Sequence, residues 1–144
     1  MVDQIIISMD WNEEGVKEVR RNLIEYNMSQ VLEHTRQAIS ENVSILLKGD
    51  NDTILGGIVG QIYYHCLSID LFWIDEKLRG KGYGKELMTA AEELALNKGC
   101  KLIKLDTLSF QAPEFYEKLG YLEYGKLDNF PEGFSHHFFY KRMD

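Results

Sequence analysis

Between residues 66 and 99 the chain changes periodicity at a run of glycines, and that change restricts the fold more than any other feature. Cys66 to Ile74 (CLSIDLFWI) is apolar and β-prone and reads as a strand. Residues 78–85 (LRGKGYGK) then alternate three glycines with Arg79, Lys81 and Lys85. From Gly82 onward Tyr83, Leu87, Ala90, Ala91, Leu94 and Ala95 recur at helical spacing, and Gly99 supplies a stop after Asn97 and Lys98. A strand that passes through glycines into a helix presents the unpaired N–H groups of the first helical turn at one end of a sheet. That place suits an anion.

The remaining elements extend this unit in both directions. Ile5-Ile6-Ile7 reads as a short strand, and Asn12 as the N-cap of helical sequence over roughly 13 to 38, with a break near Met28-Ser29. Val43 to Leu47 reads as a strand, the stretch from Gly49 to Asp52 as a hairpin turn, and Thr53 to Tyr64 as a long strand. Gly56 and Gly57 lie inside that strand, where a bulge or a close backbone approach is expected. After the central helix come a strand at Leu102 to Leu105, a helix at Ala112 to Leu119, and strands at Tyr121 to Leu127 and Phe134 to Lys141. The order β-α-α-β-β-β-α-β-α-β-β mixes hairpins with helical crossovers. It predicts an α/β (α+β) mixed sheet, mostly antiparallel, of about seven strands flanked by about four helices. With no repeat or linker, residues 1–144 are expected to form one domain.

Composition narrows the function classes. The net charge is −7 and no Lys/Arg run forms a basic face, which argues against nucleic acid as a partner. The cations are spread out, apart from Lys141-Arg142 and a group around the glycine loop at Lys77, Arg79, Lys81 and Lys85, which suggests a small anionic ligand there. No apolar run approaches the length of a membrane span, and the N-terminal stretch lacks the form of a signal peptide. Cys66 and Cys100 belong to no metal-ligand pattern, so free thiols, a cytoplasmic location and no metal are expected.

Two familiar phosphate motifs fail. Gly84-Lys85 is followed by Glu86, which excludes a Walker loop, and neither glycine pair starts a GxGxxG. A nucleotide-binding regulatory domain is thereby disfavoured. The pattern Arg/Gln-x-x-Gly-x-Gly does fit, as Arg79 to Gly84. In its frame LFWIDEKLRGKGYGKELMTAAEELA the segment resembles the acetyl-CoA-binding segment of the GNAT (Gcn5-related N-acetyltransferase) superfamily. The later stretch SFQAPEFYEKLGY, Ser109 to Tyr121, is similar to that family's second signature, with Ala112, Tyr116, Glu117, Lys118, Gly120 and Tyr121 in register. Ser109 stands where the family commonly has Asn, and Glu76-Lys77 where Pro-Glu is common.

The resemblance implies an N-acetyltransferase that moves an acetyl group from acetyl-CoA to a primary amine by direct transfer in a ternary complex. It implies that Phe72, Trp73 and Ile74 form a splayed strand edge for the pantetheine amides. Backbone N–H groups of Gly80, Lys81, Gly82, Tyr83, Gly84 and Lys85 would surround the pyrophosphate, with charge from Arg79 and Lys81, and Ser109 would take the pantetheine contact of the usual Asn. Tyr116 matches the position of the general acid that protonates the leaving thiolate. A protonated alkylamine, of pKa about 10.4, cannot attack a thioester, so a base or proton wire is needed as well. Asp70 and His65 are the leading base candidates, beside Tyr63, His136, His137 and a water chain. The aromatic tail from Phe130 to Phe139 serves a last hairpin, an acceptor wall or a homodimer contact. The acceptor is a small-molecule or peptide amine. The rival reading is a non-catalytic acyl-CoA sensor that keeps the cradle without acceptor chemistry.

Overall fold

The computed structural model describes residues 4–143, in two compact units that divide after Arg36. The first is helical. Asn12 accepts a hydrogen bond from Gly15 N at 2.8 Å and opens α1 (Glu13–Gln30), with Glu13 and Glu14 in the first turn as the helix dipole favours. The break falls at Val31, slightly beyond the expected Met28-Ser29. Arg36, in the short α2 (Glu33–Arg36), donates to the carbonyls of Met28 and Val31 and so holds the corner between the helices. Val19, Leu23, Ile24 and Tyr26 of α1 are exposed.

Ile5-Ile6-Ile7 corrects the expected strand count. The three residues are exposed and enter no ladder among the described residues, since three apolar side chains do not make a strand without a hydrogen-bonding neighbour.

The second unit is a mixed sheet of six strands: β1 (Glu41–Lys48), β2 (Ile54–Tyr63), β3 (Cys66–Ile74), β4 (Leu102–Leu108), β5 (Leu122–Asp128) and β6 (Ser135–Arg142). Their spatial order is β1-β2-β3-β4-β6-β5, and only the β3–β4 pair is parallel. Tyr64 and His65, both with positive φ, make the two-residue turn between β2 and β3. Gly56 and Gly57 give the expected close approach, because a Cβ there would lie 2.9 and 2.8 Å from strand carbonyls. The β1–β2 register shifts beside Gly56, where Leu55 has no partner, and the β2–β3 register shifts again between Val59 and Gly60, which leaves Asp70 without a register partner.

Two helices cover one face of this sheet. Leu87, Met88, Ala91 and Ala95 are the buried face of α3 (Tyr83–Asn97), packed with Ile58, Ile62, Leu67, Ile69, Ile103, Leu105 and Phe139. The last helix, α4 (Glu114–Lys118), is shorter than expected. Ala112 turns left-handed at φ +57°, and Ser109–Gln111 form a separate 3₁₀ turn. Its end is fixed by Glu92 of α3, which accepts from the Tyr121 hydroxyl and from Lys141 Nζ, while Lys141 also donates to the Leu119 carbonyl. Cys66 and Cys100 are buried free thiols.

Candidate active site

The parallel pairing of β3 with β4 covers only Cys66–Ile69 against Leu102–Leu105. Beyond that point β3 pairs with β2 alone and β4 with β6 alone. The strands therefore part, and the edge of Phe72, Trp73 and Ile74 that faces β4 has no strand partner among the described residues. Unpaired strand edges of this kind accept an extended, amide-bearing ligand. The Ile74 carbonyl is already used, because Arg79 Nε donates to it at 3.1 Å. Arg79 thus clamps the loop onto the end of β3, a structural duty beyond the charge expected of it.

The glycine loop follows directly. Asp75 accepts from Lys77 N and caps a 3₁₀ turn over Glu76–Leu78, after which Gly80 (φ +77°) and Gly82 (φ +89°) lead into α3. Those angles strain any residue with a Cβ, so the two glycines are there for backbone conformation. No atom lies within 4 Å of a Cβ placed on either, so the space in front of both is open. Gly84 differs, since its missing Cβ makes room for Phe115 and Ile74 at 3.3 and 3.4 Å. The first intrahelical bond runs from Glu86 N to the Gly82 carbonyl, leaving the N–H groups of Tyr83, Gly84 and Lys85 directed out of the helix start. Lys81 and Lys85 are exposed beside them. An open, cationic, N–H-rich turn fits a pyrophosphate. A hollow of about 320 Å³ continues from Gly82 and Lys85 along the outer flank of α3 to Glu93.

Tyr116 sits where the two arms of the split meet α4. It is buried, its ring 6.2 Å from Phe72 of β3 and 5.9 Å from Phe139 of β6. Burial, and then the negative charge of Asp106, push its phenol up to about 12, so it stays protonated at any physiological pH. Ser109 Oγ accepts from Ser135 N at 3.0 Å, which ties the 3₁₀ turn to β6 and leaves the hydroxyl hydrogen to donate elsewhere.

The two base candidates separate. Asp70 is the residue after the last β3–β4 pair and is exposed at the apex of the split. His65 lies in the β2–β3 turn, at the opposite end of β3 from the glycine loop, about 30 Å away at the rise of a strand. The structure does not bring His65 to the site. It brings in instead a residue that the sequence did not single out. Asp106 is the first residue of β4 beyond the ladder, and its Oδ2 lies 2.6 Å from His136 Nε2. On the sheet's other face His137 Nε2 bonds Ser135 Oγ at 2.8 Å, and its Nδ1 pairs with Glu123.

The mixed sheet thus splits between its two parallel strands, and a glycine turn opens a helix at the split. Residues 9–121 match the family model described as "Acetyltransferase (GNAT) family", and the chain belongs to that family. Among its relatives is the blasticidin-S acetyltransferase of Streptomyces morookaense, 34% identical over 96 residues, which cover 66% of this chain and 71% of that protein. A crystal structure of an acetyltransferase from Bacillus cereus ATCC 14579 superposes with a TM-score of 0.88 at 43% identity, over 96% of this chain and 97% of that one. An aminoglycoside 6′-N-acetyltransferase complexed with coenzyme A shares the fold, with a TM-score of 0.60 at 19% identity, over 72% of this chain and 74% of that one. The protein is therefore an acetyltransferase.

Proposed function

We propose that this acetyltransferase takes its acetyl group from acetyl-CoA and delivers it to the primary amine of a small molecule, by direct transfer in a ternary complex. One observation carries the reading: the open N–H turn at Gly80–Lys85, the unpaired edge of β3 and the Tyr116 phenol all border a single split in the sheet. The pyrophosphate lies on the loop, the pantetheine amides along Phe72 to Ile74, and the thioester between the strands near Tyr116, with Ser109 donating its hydroxyl hydrogen to the pantetheine arm. The hollow beside Lys85 takes the nucleotide end, because it runs along α3 and away from the split. Support for the donor comes from the coenzyme A-bound neighbour, and for a small-molecule amine from the blasticidin-S acetyltransferase. Buried reduced thiols suit the cytoplasm, where acetyl-CoA is made available.

Tyr116 acts as a proton relay more than as a net acid. A simple thiol has a pKa of about 8.5, well below about 12, so the phenol cannot keep a thiolate protonated at its own expense. It donates a hydrogen bond to the departing sulfur and is reprotonated by the nitrogen that has just been acylated. Titration with acetyl-CoA followed by a thiol-release screen over small amines tests the function. Acetyl-CoA binding with acetylated product from at least one amine class supports it, and binding without transfer to any of them refutes it.

A further inference from the structure

The split has a second polar device, built from residues 30 positions apart in sequence. His136 lies between Phe130, stacked at 5.5 Å, and Phe138, at 4.4 Å, with its side chain only 16% exposed. Its Nε2 meets Asp106 Oδ2 at 2.6 Å, while its Nδ1 is buried with no hydrogen-bond partner. An orphaned buried nitrogen is destabilising, and a phenyl ring would fill the same sandwich without it. Among the described residues, the only polar task of this imidazole is to hold Asp106. That carboxylate is half-exposed at the apex of the split, and its charge reaches the Tyr116 phenol. Asp70, the first residue past the ladder on the other arm, has no such clamp on its side chain among the described residues.

We propose that Asp106 is the catalytic residue that receives the acceptor's ammonium group and takes its proton, with His136 as the positioning residue that fixes the carboxylate. The proposal rests on the acetyl-transfer reading above. One N–H bond of the ammonium breaks, and its proton passes to Asp106 and on to water. The freed nitrogen lone pair attacks the thioester carbon. As the C–N bond forms, the C–S bond breaks, and the second nitrogen proton reaches the sulfur through Tyr116. A carboxylate beside the attack point and a phenol beside the leaving group give each proton its own exit.

Steady-state kinetics on the whole chain, with the best amine from the screen, test this. Asp106→Asn is expected to lower kcat/KM at least 100-fold for an alkylamine, with the acetyl-CoA Kd changed less than twofold. Against an alkoxyamine analogue, already neutral at pH 7, the loss is expected to shrink below fivefold. His136→Phe fills the sandwich and removes the orphan. It is expected to raise or preserve thermal stability while lowering kcat about tenfold, a combination that a merely structural histidine does not produce. Asp106→Asn within threefold of the parent, equal losses for both amine types, or His136→Phe with unchanged kcat overturns the proposal and leaves acetyl transfer standing. A parent protein that acetylates no amine overturns the transfer reading, and this proposal with it.

Discussion

Replacing Tyr116 by Phe removes one oxygen from a side chain that is 5% exposed and in ring contact with Phe72, Phe115, Tyr121 and Phe139. The ring packing survives the change, so stability is expected to shift by less than about 1 kcal/mol. What disappears is the hydroxyl proposed to donate to the departing thiolate. A hydrogen bond to a charged group contributes about 1.5–3 kcal/mol, which at about 1.4 kcal/mol per factor of ten predicts a kcat about 10- to 150-fold lower. On the proposed reading the loop and the strand edge hold acetyl-CoA, so its affinity is expected to stay within about twofold. Thiol release under saturating donor and amine gives kcat, and calorimetric titration gives the affinity. Turnover within twofold of the parent refutes the relay, while equal losses of turnover and affinity assign Tyr116 to donor binding.

Further outcomes follow from the same geometry. The Tyr116 phenol ionises near pH 10 in the unfolded chain but near 12 in the fold, so the unfolded state sheds that proton first and stability falls as pH rises between these values. A shift of this size corresponds to about 3 kcal/mol, and Tyr121, raised further by burial and by Glu92, acts in the same direction. Urea midpoints should therefore drop from pH 9 to 11.5, less steeply in Tyr116→Phe, and a flat profile contradicts this. Gly82→Ala forces a Cβ onto φ +89° and is expected to weaken acetyl-CoA binding about tenfold, at a stability loss of about 1–2 kcal/mol; unchanged affinity in calorimetry removes the loop from the donor site. Gly60→Ala places a Cβ 2.2 Å from the Ser68 carbonyl oxygen beside the bulge, and should lower the urea-derived stability by about 2–4 kcal/mol. A change below 0.5 kcal/mol would mean that the bulge relaxes freely.

What the sequence disclosed was local. The strand from Cys66 to Ile74, the loop and α3 are legible because periodicity, glycine and helix capping act within a few residues of one another. The irregularity between Val59 and Gly60 went unread because it depends on how close Gly60 lies to Ser68 across a strand pair, a distance that no single segment encodes. Ile5-Ile6-Ile7 has strand composition, but a strand exists only with a partner. The glycine loop and Tyr116 sit in contiguous motifs, so both could be singled out from the sequence. His65 and Asp70 stood side by side as base candidates, one just before a strand and the other within it, until topology put one at the turn and the other at the split. Asp106 and His136 meet only because β4 and β6 are neighbours across a sheet whose order departs from chain order.

The most direct measurement is a paired assay on the purified chain. Free thiol released from acetyl-CoA is followed alongside the mass of each small amine in the panel. The expected result is one thiol per N-acetylated product, with transfer strongly reduced in Tyr116→Phe. Tight acetyl-CoA binding with no acetylated amine, or thiol release without product, contradicts amine acetylation at the split.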